Sequence, residues 1–150
     1  MNSLSKYIFE KLHINKDMKQ YNYHPKDREE LIYLIEKLLE ERGKNADLND
    51  IDVSDITDMS YIFQGSKFNG DISSWDVSNV TDMCNMFYRS NFNGNISNWD
   101  VSNVTDMHRM FYYSNFNQDI SNWDVSNVIE MYAMFSGSPL EKNPPAWYHE

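Results

Sequence analysis

Residues 75–83 read WDVSNVTDM, residues 99–107 repeat those nine letters, and residues 123–131 read WDVSNVIEM. A catalytic motif is normally written once, so a block written three times points first to architecture. Working outward, Trp75, Trp99, Trp123 and Trp147 stand 24 residues apart. So do Asp52, Asp76, Asp100 and Asp124; Met59, Met83, Met107 and Met131; and Phe63, Phe87, Phe111 and Phe135. NADLNDIDVS at 45–54 aligns with NGDISSWDVS at 69–78, with Ile51 in the Trp position. The array therefore begins near residue 45. It decays in SPLEKNPPAWYHE at 138–150, where Pro144 and Pro145 replace the Ile and Ser of DIS. Altered terminal units are what capping of a repeat array predicts.

Two periodicities alternate within the unit. In TDMCNMF, Met83, Met86 and Phe87 fall at i, i+3 and i+4, which predicts a short helix with Thr81 as N-cap. In ISSWDVSNV, Trp75 and Val77 alternate with polar residues, which predicts a short strand. Asn- and Gly-rich loops join them. One such unit cannot bury its own Trp, Val, Met and Phe, so neighbours must stack. The fold expected is an α/β solenoid: a short right-handed leucine-rich-repeat stack of four 24-residue coils, with parallel strand pairing at about 4.8 Å. The Asn79, Asn103 and Asn127 column is expected to bond turn backbone in a ladder. The aspartates after each Trp are expected to accept local Ser, Asn or backbone donors, because like charges would otherwise lie unit on unit.

Residues 1–44 do not repeat and are read as a helical N-terminal cap on a repeat domain at 45–150. PKDREELIYLIEKLLEERG, at 25–43, places Leu31, Leu34, Ile35, Leu38 and Leu39 on one helical face. Pro25 suits its first turn, Arg42 its last turn and Gly43 its C-cap. A weaker helix is predicted from about Leu4 to Leu12. Both are expected to cover the open edge of the array, with a partner-binding helical face as the competing reading.

Apolar residues at 41% and aromatics at 15% suffice for a packed core in 150 residues. With only Cys84, no intrachain disulfide forms. The N-terminal residues hold no signal-peptide apolar run, and no stretch is long enough for a membrane helix. The expected place is the cytoplasm of a bacterium, or of a host if the gene is phage-borne. Charge is uneven. Residues 1–44 carry 9 basic and 8 acidic side chains; residues 45–150 carry 4 basic and 15 acidic. Direct nucleic-acid binding by that acidic body is not expected. A basic partner suits it better.

FNGDISSWDVSNVTDMCNMF at 68–87, with its later copies, resembles the BspA-type leucine-rich repeats of bacterial surface proteins. That family is also described as a mycoplasma-type domain of unknown function. The resemblance covers about residues 45–147. It implies a solenoid and a binding role, and it offers no catalytic residues to carry over. Many members are secreted, lipid-anchored or wall-attached; this sequence shows no export signal, no lipid-attachment Cys near its start and no sorting tail.

Within a fixed frame, the columns that vary are the informative ones. They read Ser60, Cys84, His108, Tyr132; Tyr61, Asn85, Arg109, Ala133; Gln64, Tyr88, Tyr112, Ser136; and Gly65, Arg89, Tyr113, Gly137. On a helix they would face away from Met and Phe as one surface strip. Tyr and Arg at its centre are the residue types that anchor protein interfaces. Tyr88, Arg89, His108, Arg109, Tyr112 and Tyr113 are the candidate partner-binding residues, against neutral drift on a solvated face. Asp76, Asp82, Asp100, Asp106 and Asp124 are the candidate acidic surface. Cys84 and His108 share a column in adjacent repeats, as a nucleophilic dyad or two zinc ligands would. Neither a third strong ligand nor an oxyanion element is evident. The aspartates lack calcium-loop spacing. No metal, cofactor, membrane contact or small-molecule substrate is expected. The functional expectation is a non-enzymatic protein-binding module acting through the strip. The alternative is a phage- or prophage-encoded intracellular inhibitor, an anti-CRISPR or other anti-defence protein, whose acidic body blocks a basic nucleic-acid channel.

Overall fold

The run REELIYLIEKLLEER forms α1, Arg28–Arg42. Asp27 caps it by accepting the Glu30 N–H at 2.9 Å, and the Glu30 carboxylate accepts the Lys26 N–H. Pro25 lies before this cap and not in the first turn. Gly43 ends the helix with a φ of 87°, its N–H on the Leu39 carbonyl. Leu31, Ile35 and Leu38 are buried in the same apolar cluster as the repeats. This computed structural model describes residues 20–150. The helix expected at Leu4 to Leu12 lies outside them.

The expected α/β leucine-rich-repeat solenoid is overturned. Among the described residues there is one α-helix, a 3-10 turn at Pro139–Glu141, and no strand. Only isolated parallel bridges occur: Tyr23 with Ile51, Asp47 with Asp71, and Asp58, Asp82, Asp106 and Glu130 in succession. Two local causes account for this. In DVSNV, the Asp76 carboxylate accepts both the N–H and the hydroxyl of Ser78, and the Val80 N–H closes on the Val77 carbonyl. The chain curls there and cannot extend as a strand. In TDMCNMFYR, Asn85 and Arg89 adopt left-handed φ values of 53° and 52°, and their counterparts in the other repeats do the same. A left-handed residue every fourth position breaks the i to i−4 bonding of a helix. The segment becomes a run of turns instead, Met86 to Met83, Tyr88 to Asn85 and Ser90 to Phe87.

The amides left over by those turns tie each repeat to the next. The N–H groups of Met83, Asn85, Phe87 and Arg89 donate to the carbonyls of Asp106, His108, Met110 and Tyr112. Side chains add parallel ladders. Asn79, Asn103 and Asn127 donate to the carbonyls of Ser54, Ser78 and Ser102 at 2.6–2.7 Å. The indoles of Trp75, Trp99, Trp123 and Trp147 donate to the carbonyls of Leu48, Ile72, Ile96 and Ile120. Inside, the rings of Phe63, Phe87, Phe111 and Phe135 stack at 5.5–5.8 Å. Phe68, Phe92 and Phe116 form a second column.

The segment before α1 bonds to the edge of the first repeat, and α1 adds Arg28 and Arg42, which donate to the Ser60 and Asp47 carbonyls. Asn22 and Tyr23 donate to the Asp50 carbonyl, and Asp52 donates to that of Tyr23. Asp50 then clasps three pieces together. Arg42 grips its carboxylate twice at 2.9 Å, and the Asn22 amide adds a bond at 2.8 Å. The Arg42 guanidinium holds the Asp50 carboxyl down at about 2, while the guanidinium itself is pushed up. Because the folded-state value is depressed, this stabilisation is present above about pH 4 and is lost as pH falls from 4 towards 2. The pair is a quarter to a third exposed, with side-chain exposures of 32% and 22%, so solvent screening reduces its worth to about 1 kcal/mol. Asp50→Asn is expected to cost that amount at pH 7, read from urea midpoints. It should also flatten the decline below pH 4. Parallel pH curves for variant and wild type would contradict the clasp.

Candidate functional site

The four variable columns do not share one outward face. Ser60, Cys84, Asn85 and Ala133 are buried; Arg89, Arg109 and Tyr113 are exposed; Tyr88, His108 and Tyr112 lie half-buried. The turn run, absent from the helical reading, divides them in this way. It separates the candidate residues into two groups.

The first group is an arginine–tyrosine strip. The Tyr88 and Tyr112 rings stack at 5.2 Å, and Tyr113 meets Tyr112 edge-on at 4.7 Å. The Arg89 guanidinium lies 5.6 Å from the Tyr88 ring and 5.7 Å from that of Tyr113. Arg109 lies 5.5 Å over Tyr112. Each contact of this kind contributes about 0.5–1 kcal/mol at an exposed site. Among the described residues, no carboxylate lies within ion-pair distance of either guanidinium. Tyr113 is 57% exposed, and its ring lies 2.8 Å from where a Cβ on Gly137 would stand. Arg89, Arg109 and Tyr113 are held at φ values of 50–52°.

The second group gathers around His108. Its Nδ1 faces Asp106 Oδ1 at 2.8 Å, and its Nε2 faces the Asn85 amide at 3.2 Å. Ligand atoms of Cys84, Asp106 and His108 all lie within 4.8 Å of one another. His108 therefore contacts a different set of partners from its sequence neighbour Arg109. Burial, with the nearby Asp82 carboxylate, pushes the Cys84 thiol up to about 12.

The acidic residues also divide. Asp76, Asp100 and Asp124 are exposed and accept the N–H groups of Ser78, Ser102 and Ser126 at 3.0–3.1 Å. Hydrogen bonds from Ser102 hold Asp100 below its ordinary value, and those from Ser126 do the same for Asp124, despite the repulsion between the two. Asp82 and Asp106 are half-buried and accept the backbone N–H groups of Cys84 and His108. Among the described residues no helix is long and apolar enough to cross a membrane.

Residues 33–147 match the family described as "Mycoplasma protein of unknown function, DUF285". The chain belongs to this family. The DUF285 match begins inside α1 and runs through every repeat to Trp147, so it embraces both groups of candidate residues. No curated protein matches this DUF285 chain, and no solved structure does.

Proposed function

We propose that this DUF285 protein is a non-enzymatic protein-binding module that engages its partner through Tyr88, Arg89, Arg109, Tyr112 and Tyr113. One observation carries the reading. Arg89 and Tyr113 occupy a left-handed position that the flanking repeats fill with Gly65 and Gly137. A side chain there costs about 1–2 kcal/mol that glycine avoids. Strain of this kind concentrates where function requires the side chain. The arrangement also suits recognition: stacked tyrosines offer rigid apolar area, and two guanidiniums keep their donors for a partner. The likeness of the 24-residue letters to BspA-type repeats supports a binding role by sequence analogy alone.

Arg109→Ala and Tyr112→Ala are each expected to weaken partner capture by about 2 kcal/mol, roughly thirtyfold, while unfolding stability falls by no more than about 1 kcal/mol for Arg109→Ala and about 2 kcal/mol for Tyr112→Ala, with both variants still folded. The measurement is affinity capture from native cytosol with wild type and both variants side by side. Bands retained equally by all three would dismiss the strip.

A second reading draws on the exposed line of Asp76, Asp100 and Asp124. An inhibitor that covers a basic nucleic-acid channel would use such fixed negative charge. In the same capture, this reading expects retention to collapse with added salt and with the triple Asp→Asn variant, and to survive Tyr112→Ala.

A further inference from the structure

We propose that Cys84, Asp106 and His108 form a binding site for a divalent transition-metal ion of the zinc class. The three side chains come from two adjacent repeats, as Asp82-Met83-Cys84 over Asp106-Met107-His108. The repeat frame supplies a carboxylate in every copy, at Asp58, Asp82, Asp106 and Glu130. Only the two central copies place a soft or borderline ligand two residues later; the outer copies have Ser60 and Tyr132 there. Contact between the repeats brings these two together. The His108 N–H to Asp106 Oδ1 bond at 2.9 Å fixes the turn from which the imidazole projects. The Asn85 N–H to His108 carbonyl bond at 3.0 Å sets Cys84 against it.

The donor set chooses the ion. Sulfur, imidazole nitrogen and one carboxylate suit zinc or cobalt and suit calcium or magnesium poorly, since those ions take oxygen ligands. Zinc bonds of about 2.0–2.3 Å at tetrahedral angles place ligand atoms about 3.5 Å apart. The ligand atoms, all within 4.8 Å of one another, reach that spacing by side-chain rotation, in which the 2.8 Å hydrogen bond between His108 Nδ1 and Asp106 Oδ1 gives way. Charge favours it too. On binding, the Cys84 thiol proton passes to solvent, and thiolate plus carboxylate balance the ion's two charges. Asp82, against Cys84, adds attraction from the same side. The His108 and Asp106 side chains are 34% and 30% exposed, which leaves an entry path to the buried sulfur.

The repeats themselves supply variants compatible with the fold. Cys84→Ser and His108→Tyr install the residues found in the same column at Ser60 and Tyr132. Asp106→Asn keeps an oxygen to accept the His108 N–H. The 150-residue protein, purified without a histidine tag, is titrated with cobalt chloride and separately dialysed against zinc sulfate. Expected are a single zinc ion per chain, a rise in Tm with zinc, and a cobalt spectrum with a thiolate charge-transfer band. Cys84→Ser should abolish that band. Each of the three variants should weaken zinc binding by at least about tenfold, with the metal-free circular dichroism unchanged. A wild-type cobalt spectrum with no thiolate band overturns the site, and needs no variant to do so. Zinc affinity unchanged by Cys84→Ser or His108→Tyr overturns it equally.

Discussion

Phe111→Ala is expected to lower the free energy of unfolding by about 4 kcal/mol, the middle of the range for a buried aromatic. Phe111 is fully buried in the third repeat. Its ring stacks between Phe87 at 5.5 Å and Phe135 at 5.8 Å, with Phe116 at 4.1 Å and Trp123 at 6.5 Å. These neighbours cannot slide in to fill the space. Phe87 and Phe135 belong to backbone segments tied to residue 111's own segment by amide bonds, Phe87 to Met110 and Phe111 to Met134. Trp123 is held by its indole bond to Ile96. Most of the cavity therefore persists, and the cavity term adds to the lost transfer energy. Against a total stability of about 5–15 kcal/mol, the variant should sit close to the folding threshold. Urea unfolding followed by tryptophan fluorescence measures this, with Tyr33→Ala, 69% exposed on α1, as a near-silent control. A loss below about 1.5 kcal/mol would mean that the aromatic column collapses freely, and that the ladders do not hold the repeats apart.

The residues that set this core were legible in the sequence because the repeat wrote them four times. Trp75, Val77, Val80, Met83 and Phe87 are buried as their columns implied. The Asp76–Ser78 turn and the Asn79 ladder follow from side chains whose short polar arms favour local backbone. What misled was spacing. Apolar residues at i, i+3 and i+4 fit one face of a helix, but a run of turns with a left-handed residue every fourth position buries the same letters. A clue was present: one column holds Gly65 and Gly137, and another holds Asn85, the residue types that tolerate positive φ. The strip residues Tyr88, Arg89, Arg109, Tyr112 and Tyr113 were legible as variation within a fixed frame. Their separation from His108 was not, because the helical reading put every variable column on one face. Asp106 was overlooked as a partner of Cys84 and His108 for a related reason. It belongs to an acidic column present in every repeat, and a repeated residue reads as frame until its neighbours are placed around it.

Gly70→Ala is expected to cost about 3 kcal/mol, and Gly94→Ala, its counterpart one repeat later, about 1 kcal/mol. A Cβ at Gly70 would stand 1.9 Å from the Ala46 carbonyl oxygen and 2.8 Å from its carbon. That oxygen accepts the Asp71 N–H at 3.0 Å, and the Asn69 N–H binds the Lys44 carbonyl at 2.8 Å. Moving the backbone away therefore breaks the bonds that join the first two repeats. At Gly94 the closest atoms are the far end of the Phe92 ring, at 2.7 and 2.8 Å, and the Gly70 carbonyl oxygen stands back at 3.2 Å. The fourth repeat carries Gln118 in this column, so a side chain can be seated there. The difference between the two urea midpoints tests the point directly. Equal losses, or a larger one at Gly94, would place the strain in the Phe92 ring and not in the backbone seam. The expected order locates the tight backbone contact at Gly70 in the first seam, between the degenerate repeat at residue 45 and the full repeat at residue 69. There the glycine is required by a neighbouring peptide, whereas in the later repeats the same column is open to change.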